Sequence, residues 1–184
     1  MQCLKSIVKW FCAILLAILP YNAGAQSREY QIKAAFLFNF AQFVDWPATA
    51  FTNGTAPFYI GILGDDPFGA ALDETIQGEA INNHKIIVVR SQNVGDLKNC
   101  AMIFVSKSEK RHIPEILSDL DSRPILTVSE VDGFAQDGGS INFFLDGTKV
   151  RFEINPAASQ SDGLKISSQL LSLGKIVQSS KEGK

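Results

Sequence analysis

The chain has 184 residues, with 17 basic and 19 acidic side chains and 46% apolar residues, a length that suits one domain with a sizeable core. Its slight acidic balance offers no basic field to nucleic acid or to an anionic membrane surface. Of the three cysteines, Cys3 and Cys12 stand in a leader segment, and losing that leader leaves Cys100 without an internal disulfide partner.

Residues 1–25 read as a cleavable Sec-type signal peptide. Lys5 and Lys9 precede an apolar run from Trp10 to Leu19, about ten residues and half of what a bilayer crossing needs. Pro20 ends the run, and Ala23-Gly24-Ala25 supplies a small-residue cleavage site before Gln26. The alternative is an uncleaved N-terminal anchor; Cys3 and Cys12 come too early to serve as a lipobox cysteine. Export places the protein outside the cytoplasm, away from ready ATP, NAD and nucleic acid. The expected organisation is a signal peptide at 1–25, one α/β domain at 26–178 and a polar tail at 179–184.

From Glu29 to Val44, Ile32, Ala35, Phe36, Phe40 and Phe43 recur at three-to-four spacing and predict an amphipathic helix ended by Asp45-Trp46-Pro47. After a polar loop, Phe58 to Leu63 is a short apolar strand. Gly64-Asp65-Asp66-Pro67-Phe68 reads as an Asp-capped turn with Pro67 at the first position of a helix that runs to Ile76. Lys85–Val89, Ala101–Val105 and Pro124–Val128 are short apolar runs and read as buried strands. Between the last two, Ile113, Ile116, Leu117 and Leu120 mark one face of a helix from Glu109 to Leu120. The resulting β-α-β crossover implies parallel strands.

Ile141-Asn142-Phe143-Phe144, a turn at Asp146-Gly147, and the alternating Val150–Ile154 run predict a β-hairpin, closed by Asn155-Pro156. Leu164, Ile166, Leu170, Leu171, Leu173, Ile176 and Val177 then predict one final helix, weakened internally by Gly174. The fold expected is a single-domain α/β sandwich with a largely parallel central sheet, a C-terminal hairpin and a final helix.

No catalytic residue, metal site or cofactor emerges from the sequence, and the chain is read as not an enzyme. His84 and His112 have no ligand partners at metal-binding spacing. The Gly61-Ile62-Leu63-Gly64 turn is followed by two carboxylates that occupy the place of a bound phosphate. Gly138-Gly139-Ser140 lacks the strand-turn-helix setting of a nucleophile elbow, and Asp119, Asp121, Glu130, Asp132 and Asp137 are scattered. Cys100 is read as a small buried hydrophobe at a strand start; the alternative is pairing between molecules.

Phe36, Phe38, Phe40, Phe43 and Trp46 load the first helix region with more apolar surface than one stripe holds. It is either clamped on two sides or faces a partner. On the hairpin, period-two alternation sets Arg151 and Glu153 on the face opposite Val150, Phe152 and Ile154. Asn155 closes that strand. Ser168 and Gln169 are polar positions of the final helix.

Several phrases together resemble the YfiR/HmsC-like family of periplasmic regulators. They are Glu29-Tyr30-Gln31-Ile32-Lys33-Ala34-Ala35-Phe36 through Asp45-Trp46-Pro47, Asp66-Pro67-Phe68-Gly69, Leu126-Thr127-Val128-Ser129 with Gly133-Phe134-Ala135, Val150-Arg151-Phe152-Glu153-Ile154-Asn155, and Gly163-Leu164-Lys165-Ile166-Ser167-Ser168-Gln169. The resemblance implies a non-catalytic, homodimeric periplasmic protein that binds the periplasmic sensor region of an inner-membrane diguanylate cyclase and represses it, lowering cyclic di-GMP and restraining biofilm formation.

The resemblance also implies redox-linked disulfides, and here the chain departs from it. Cys100 keeps an Asp-Leu-x-x-Cys context, but Gly61 stands where the resemblance places a partner cysteine. Redox control through an internal disulfide is thereby excluded. The partner-binding residues expected are Arg151, Glu153, Asn155, Ser168, Gln169, Phe38 and Trp46. A second class fits the same architecture, because open α/β sheets hold ligands at strand ends: a periplasmic small-ligand-binding accessory protein of a membrane receptor or transporter. An enzyme comes third.

Overall fold

The computed structural model describes residues 21–51 and 53–180; residues 1–20 of the expected signal peptide and the end of the polar tail lie outside them. Helix α1 (Tyr21–Gln42) begins before the predicted start at Glu29. Tyr30, Ala34, Leu37 and Ala41, spaced by three or four, form its buried stripe with Phe40. The Phe43 amide still donates to Asn39 O at 3.0 Å, and β1 (Val44–Asp45) then leaves extended. No helix among the described residues is long and apolar enough to cross a membrane.

The central sheet follows the predicted plan. Strands β2 (Phe58–Leu63), β4 (His84–Ser91), β5 (Met102–Val105), β6 (Leu126–Ser129) and β7 (Ile141–Asp146) are parallel. β8 (Lys149–Ile154) returns antiparallel on β7, β10 (Lys175–Ile176) lies parallel on β8, and β3 (Ala80–Ile81) lies antiparallel on β4. The spatial order is β10-β8-β7-β6-β5-β2-β4-β3. β5 and β6 are buried at every residue, as strands covered on both faces must be, so they read as unbroken apolar runs rather than alternations.

One face carries α1 and α2 (Ala70–Ile76) over an aromatic core that includes Phe40, Phe58, Phe104, Phe143 and Phe152. The other carries α3 (Ile113–Leu120) over a smaller core of Leu97, Cys100, Ile103, Ile116, Leu120 and Phe134.

Three local expectations are corrected. α2 starts at Ala70, with Gly69 rather than an Asp at the cap position. Asp66 instead folds its own turn by accepting the Phe68 amide at 2.8 Å, and Pro67 lies outside the helix. The Glu109–Leu120 helix is a 3-10 turn at Lys107–His112 followed by α3, whose first turn holds Pro114; proline tolerates that position and not the interior.

The single final helix is broken into β9 (Lys165–Ile166), α5 (Ser168–Leu173) and β10, and a short α4 (Pro156–Ser161) precedes it, capped by Asn155. β9 pairs with β1, Val44 opposite Ile166. Ser167 caps α5 through its bond from the Leu170 amide, 3.2 Å. Gly174 ends the helix rather than weakening it, for a Cβ there would lie 2.7 Å from Ile154 Cδ1. Of the apolar residues that suggested one continuous helical face, Leu164, Ile166 and Leu170 are buried, whereas Leu173 and Ile176 are exposed.

Candidate partner-binding site

In an open parallel sheet, ligands favour the crevice at the carboxyl ends where strand order reverses. Here that point lies between β2 and β5, whose neighbours on the two sides are β4 and β6. It is filled. Gly64, at φ +87°, has Ser108 Oγ 2.3 Å and Glu109 Oε1 2.8 Å from where a Cβ would stand, and the Asp65 amide donates to Ser108 Oγ at 3.0 Å.

A concavity of about 1030 Å³ opens further along the same edge, between the first half of α1 and the β7–β8 turn. Arg28, Lys107, Lys149 and Arg151 line it with Glu29 as the acid of the set, and Ile32 and Leu145 stand in it 38% and 51% exposed. Arg151 also faces Asp146 across 3.9 Å. The cleft is thus a basic rim around an apolar pair.

Beneath the rim, Lys33 is 2% exposed and bonds both Glu29, four residues earlier on α1, and Glu130, just past the end of β6. Tyr30 OH donates to the other Glu130 oxygen at 2.8 Å, and Lys107 Nζ approaches Glu130 Oε2 at 3.7 Å. Burial, followed by the bond to Glu130, raises the Tyr30 pKa above its ordinary value, so the phenol stays a donor. Every charge here is met by an opposite one. Such a buried group holds two elements in register, in this case α1 against the carboxyl end of the sheet. The sequence reading named Glu130 only among scattered carboxylates. A legible signal was a lysine three residues after Tyr30 and four before Leu37, on the apolar stripe.

The seven expected partner-binding residues do not form one patch. Arg151 lines the cleft and is exposed. Glu153, set by alternation on the same face as Arg151, is covered: Lys175 Nζ of β10 donates to Oε1 at 2.8 Å and Gln136 Nε2 to Oε2 at 2.9 Å. Burial alone would raise its pKa, but these two bonds outweigh it and lower it. Asn155 is wholly buried; it accepts the Ala158 amide at 3.1 Å and donates to Ala135 O and Ser179 Oγ, both at 2.8 Å.

Ser168 and Gln169 are exposed at the start of α5. The Ser167 amide donates to Phe43 O at 2.9 Å, which sets them by the far end of α1. Trp46 follows that end, half-buried, its Nε1 donating to Ala41 O at 2.8 Å and its ring edge-on to Phe58. Phe38 is half-buried against the aromatic core. The described residues hold no group of three or more His, Cys, Asp or Glu placed for a metal ion.

Cys100 is free and buried beside β2. The Gly61 position reads directly onto it: a Cβ on Gly61 would lie 3.1 Å from Cys100 Sγ. Among curated proteins, none matches the chain. The family model described as YfiR/HmsC-like matches residues 30–175, from the buried tyrosine of α1 to the first residue of β10. With the match spanning the core of both faces and the whole cleft edge from Tyr30 onward, the chain belongs to the YfiR/HmsC-like family.

Proposed function

We propose that this protein is a periplasmic, non-catalytic regulator, exported by its signal peptide, that binds the periplasmic sensor region of an inner-membrane diguanylate cyclase and represses it, lowering cyclic di-GMP and biofilm formation. Family membership supports the regulatory class. The observation that carries the surface is the cleft, where exposed Ile32 and Leu145 stand within a rim of four cations. Exposed large apolar side chains ringed by charge suit a protein partner, here a segment with an apolar anchor and acidic flanks. Binding represses only insofar as it favours the inactive cyclase over the active one. A homodimer belongs to the same reading.

The test replaces Leu145→Asp and Arg151→Glu in cells that lack the native copy. Surface changes shift stability by about 0.5 kcal/mol, whereas an interfacial charge carries several times that in binding. The expected result is raised cyclic di-GMP at unchanged levels of folded protein. Full repression by both folded variants removes this surface from the regulatory contact. The volume of the same cleft, near the upper end of the ligand-pocket range of roughly 300–1,000 Å³, favours the second reading, a small-ligand-binding accessory protein. That reading expects native mass spectrometry to detect a bound small molecule which Leu145→Asp releases.

A further inference from the structure

β4 is an eight-residue strand at the edge region of the sheet, and its outer side is almost bare. β3 covers only His84 and Lys85, through Ile81 and Ala80. The cause is local: Asn82 and Asn83 both have positive φ, 49° and 69°, and make a two-residue hairpin turn. Before Ala80 the chain peels away through Gly78 toward α2. From Ile86 to Ser91, β2 pairs the inner side of β4, and no backbone partner among the described residues meets the outer side of Ile86–Arg90.

That bare edge forms one wall of a groove of about 930 Å³ whose other wall is α2. Ile76 and Ile86 are buried at its floor, and Val88 is half-buried. A strand edge beside a helix is the geometry into which an extended peptide adds as a further strand: main-chain bonds hold it, and alternate side chains enter the groove. The charge of the walls selects the occupant. Asp73, Glu74 and Glu79 line the groove against Lys85, and the one nearby guanidinium, Arg90, is already bound to Asp66 at 2.7 Å and to Asp73 at 2.5 Å. The exposed carboxylates of Glu74 and Glu79 meet no cation among the described residues.

We propose that the β4–α2 groove is a docking site for an extended, β-branched segment of a partner protein flanked by basic residues, which joins the sheet along Ile86–Arg90. This site lies at the opposite end of the sheet order from the β7–β8 cleft and does not rest on the repression proposed above. Natural sheets usually blunt such an edge with proline, a bulge or a covering element; between Ile86 and Val89 this one carries none of these.

The experiment uses the full chain and a fluorescein-labelled peptide, Lys-Ile-Val-Ile-Val-Lys, with Glu-Ile-Val-Ile-Val-Glu as its counterpart. Expected are saturable anisotropy with the basic peptide, at least about tenfold weaker binding of the acidic one, and slowed amide exchange confined to residues 86–90. The Glu74→Lys/Glu79→Lys variant, checked for its fold by circular dichroism, loses about tenfold in affinity for the basic peptide. Failure of the peptide to protect those amides, or equal affinity for both peptides, overturns the proposal. So does concentration-dependent self-association that protects the same amides without peptide, since the occupant would then be a second copy of the chain.

Discussion

The two faces of the sheet are held in different ways. On the α1 face, large aromatics meet ring to ring, Phe40 lying 5.0 Å from Phe152 and 5.5 Å from Phe143, and one buried ionic group fixes where the helix sits. On the α3 face the core is smaller and mainly aliphatic around Phe134, with a free thiol opposite a glycine. Aromatic burial is strong but weakly directional apart from ring geometry. A helix that rests on such a surface gains position from a polar contact. On the α3 face the close approach is between the sheet and the segment before β5, where Gly61 on β2 leaves room for Cys100 and Leu97.

The difference is broken most forcefully at Glu130. Its replacement by Ala leaves Lys33 and Tyr30 buried without their shared acceptor, and a single deleted partner of a buried pair costs about 3–5 kcal/mol. Chemical denaturation of Glu130→Ala is expected to show that loss. The double change Lys33→Met/Glu130→Met removes both charges and recovers most of it, since apolar replacement of a buried pair is often neutral or stabilising. A double variant as unstable as the single one would mean that the contact acts by shape and not by charge.

The thiol face is sharpened from the opposite direction. Burial pushes the Cys100 pKa up to about 12, so native Cys100 is expected to react slowly with thiol reagents. In Gly61→Cys the new Cβ would stand 3.1 Å from Cys100 Sγ, close to the roughly 3 Å that an S–S bond imposes between those atoms. Oxidised Gly61→Cys is expected to be more stable than its reduced form by about 2–4 kcal/mol. The reduced form falls below the native chain, for the same Cβ comes within 3.2 Å of Leu97 Cδ1 and 3.3 Å of Ile103 Cγ1. Two free thiols after oxidation of the folded variant would contradict this alignment of β2 with Cys100.

The fold was legible where one signal carried each element. β2 and the hairpin follow from apolar runs and alternation, and the parallel order follows from the crossover through α3. Legibility failed where polar caps cut an apolar run: Ser167 and Gly174 divide the C-terminal segment, and Asn155, which closes β8 as expected, also opens the unforeseen α4. The candidate site was less legible for a physical reason. Alternation placed Arg151 and Glu153 on one face, but β10 adds beside β8 and brings Lys175 onto Glu153. A strand register cannot say which neighbour will cover it. Arg151 escapes because it sits past that coverage, near the turn.

The smallest effect lies where the α3 face meets the C-terminal segment. Asp162 ends α4 and faces Asp121, the residue that ends α3. Burial first, and then repulsion from Asp121, raise the Asp162 pKa from 3.8 to about 7, against a lowering bond from the Ser122 backbone. The native state therefore holds a proton that the unfolded chain releases near pH 3.8. Relative stability is fullest below the unfolded value and falls as pH rises through about 7. Asp162→Asn keeps an acceptor for Ser122 and removes the charge that Asp121 repels. With the group partly exposed and its field screened, the gain at pH 8 is expected to be about 1 kcal/mol, shrinking toward zero at pH 4. Urea melts of both proteins at pH 4, 6 and 8 measure it. A gain that is the same at all three values would show that Asn improves packing alone, and no gain at pH 8 would show that the Asp121 contact does not oppose folding.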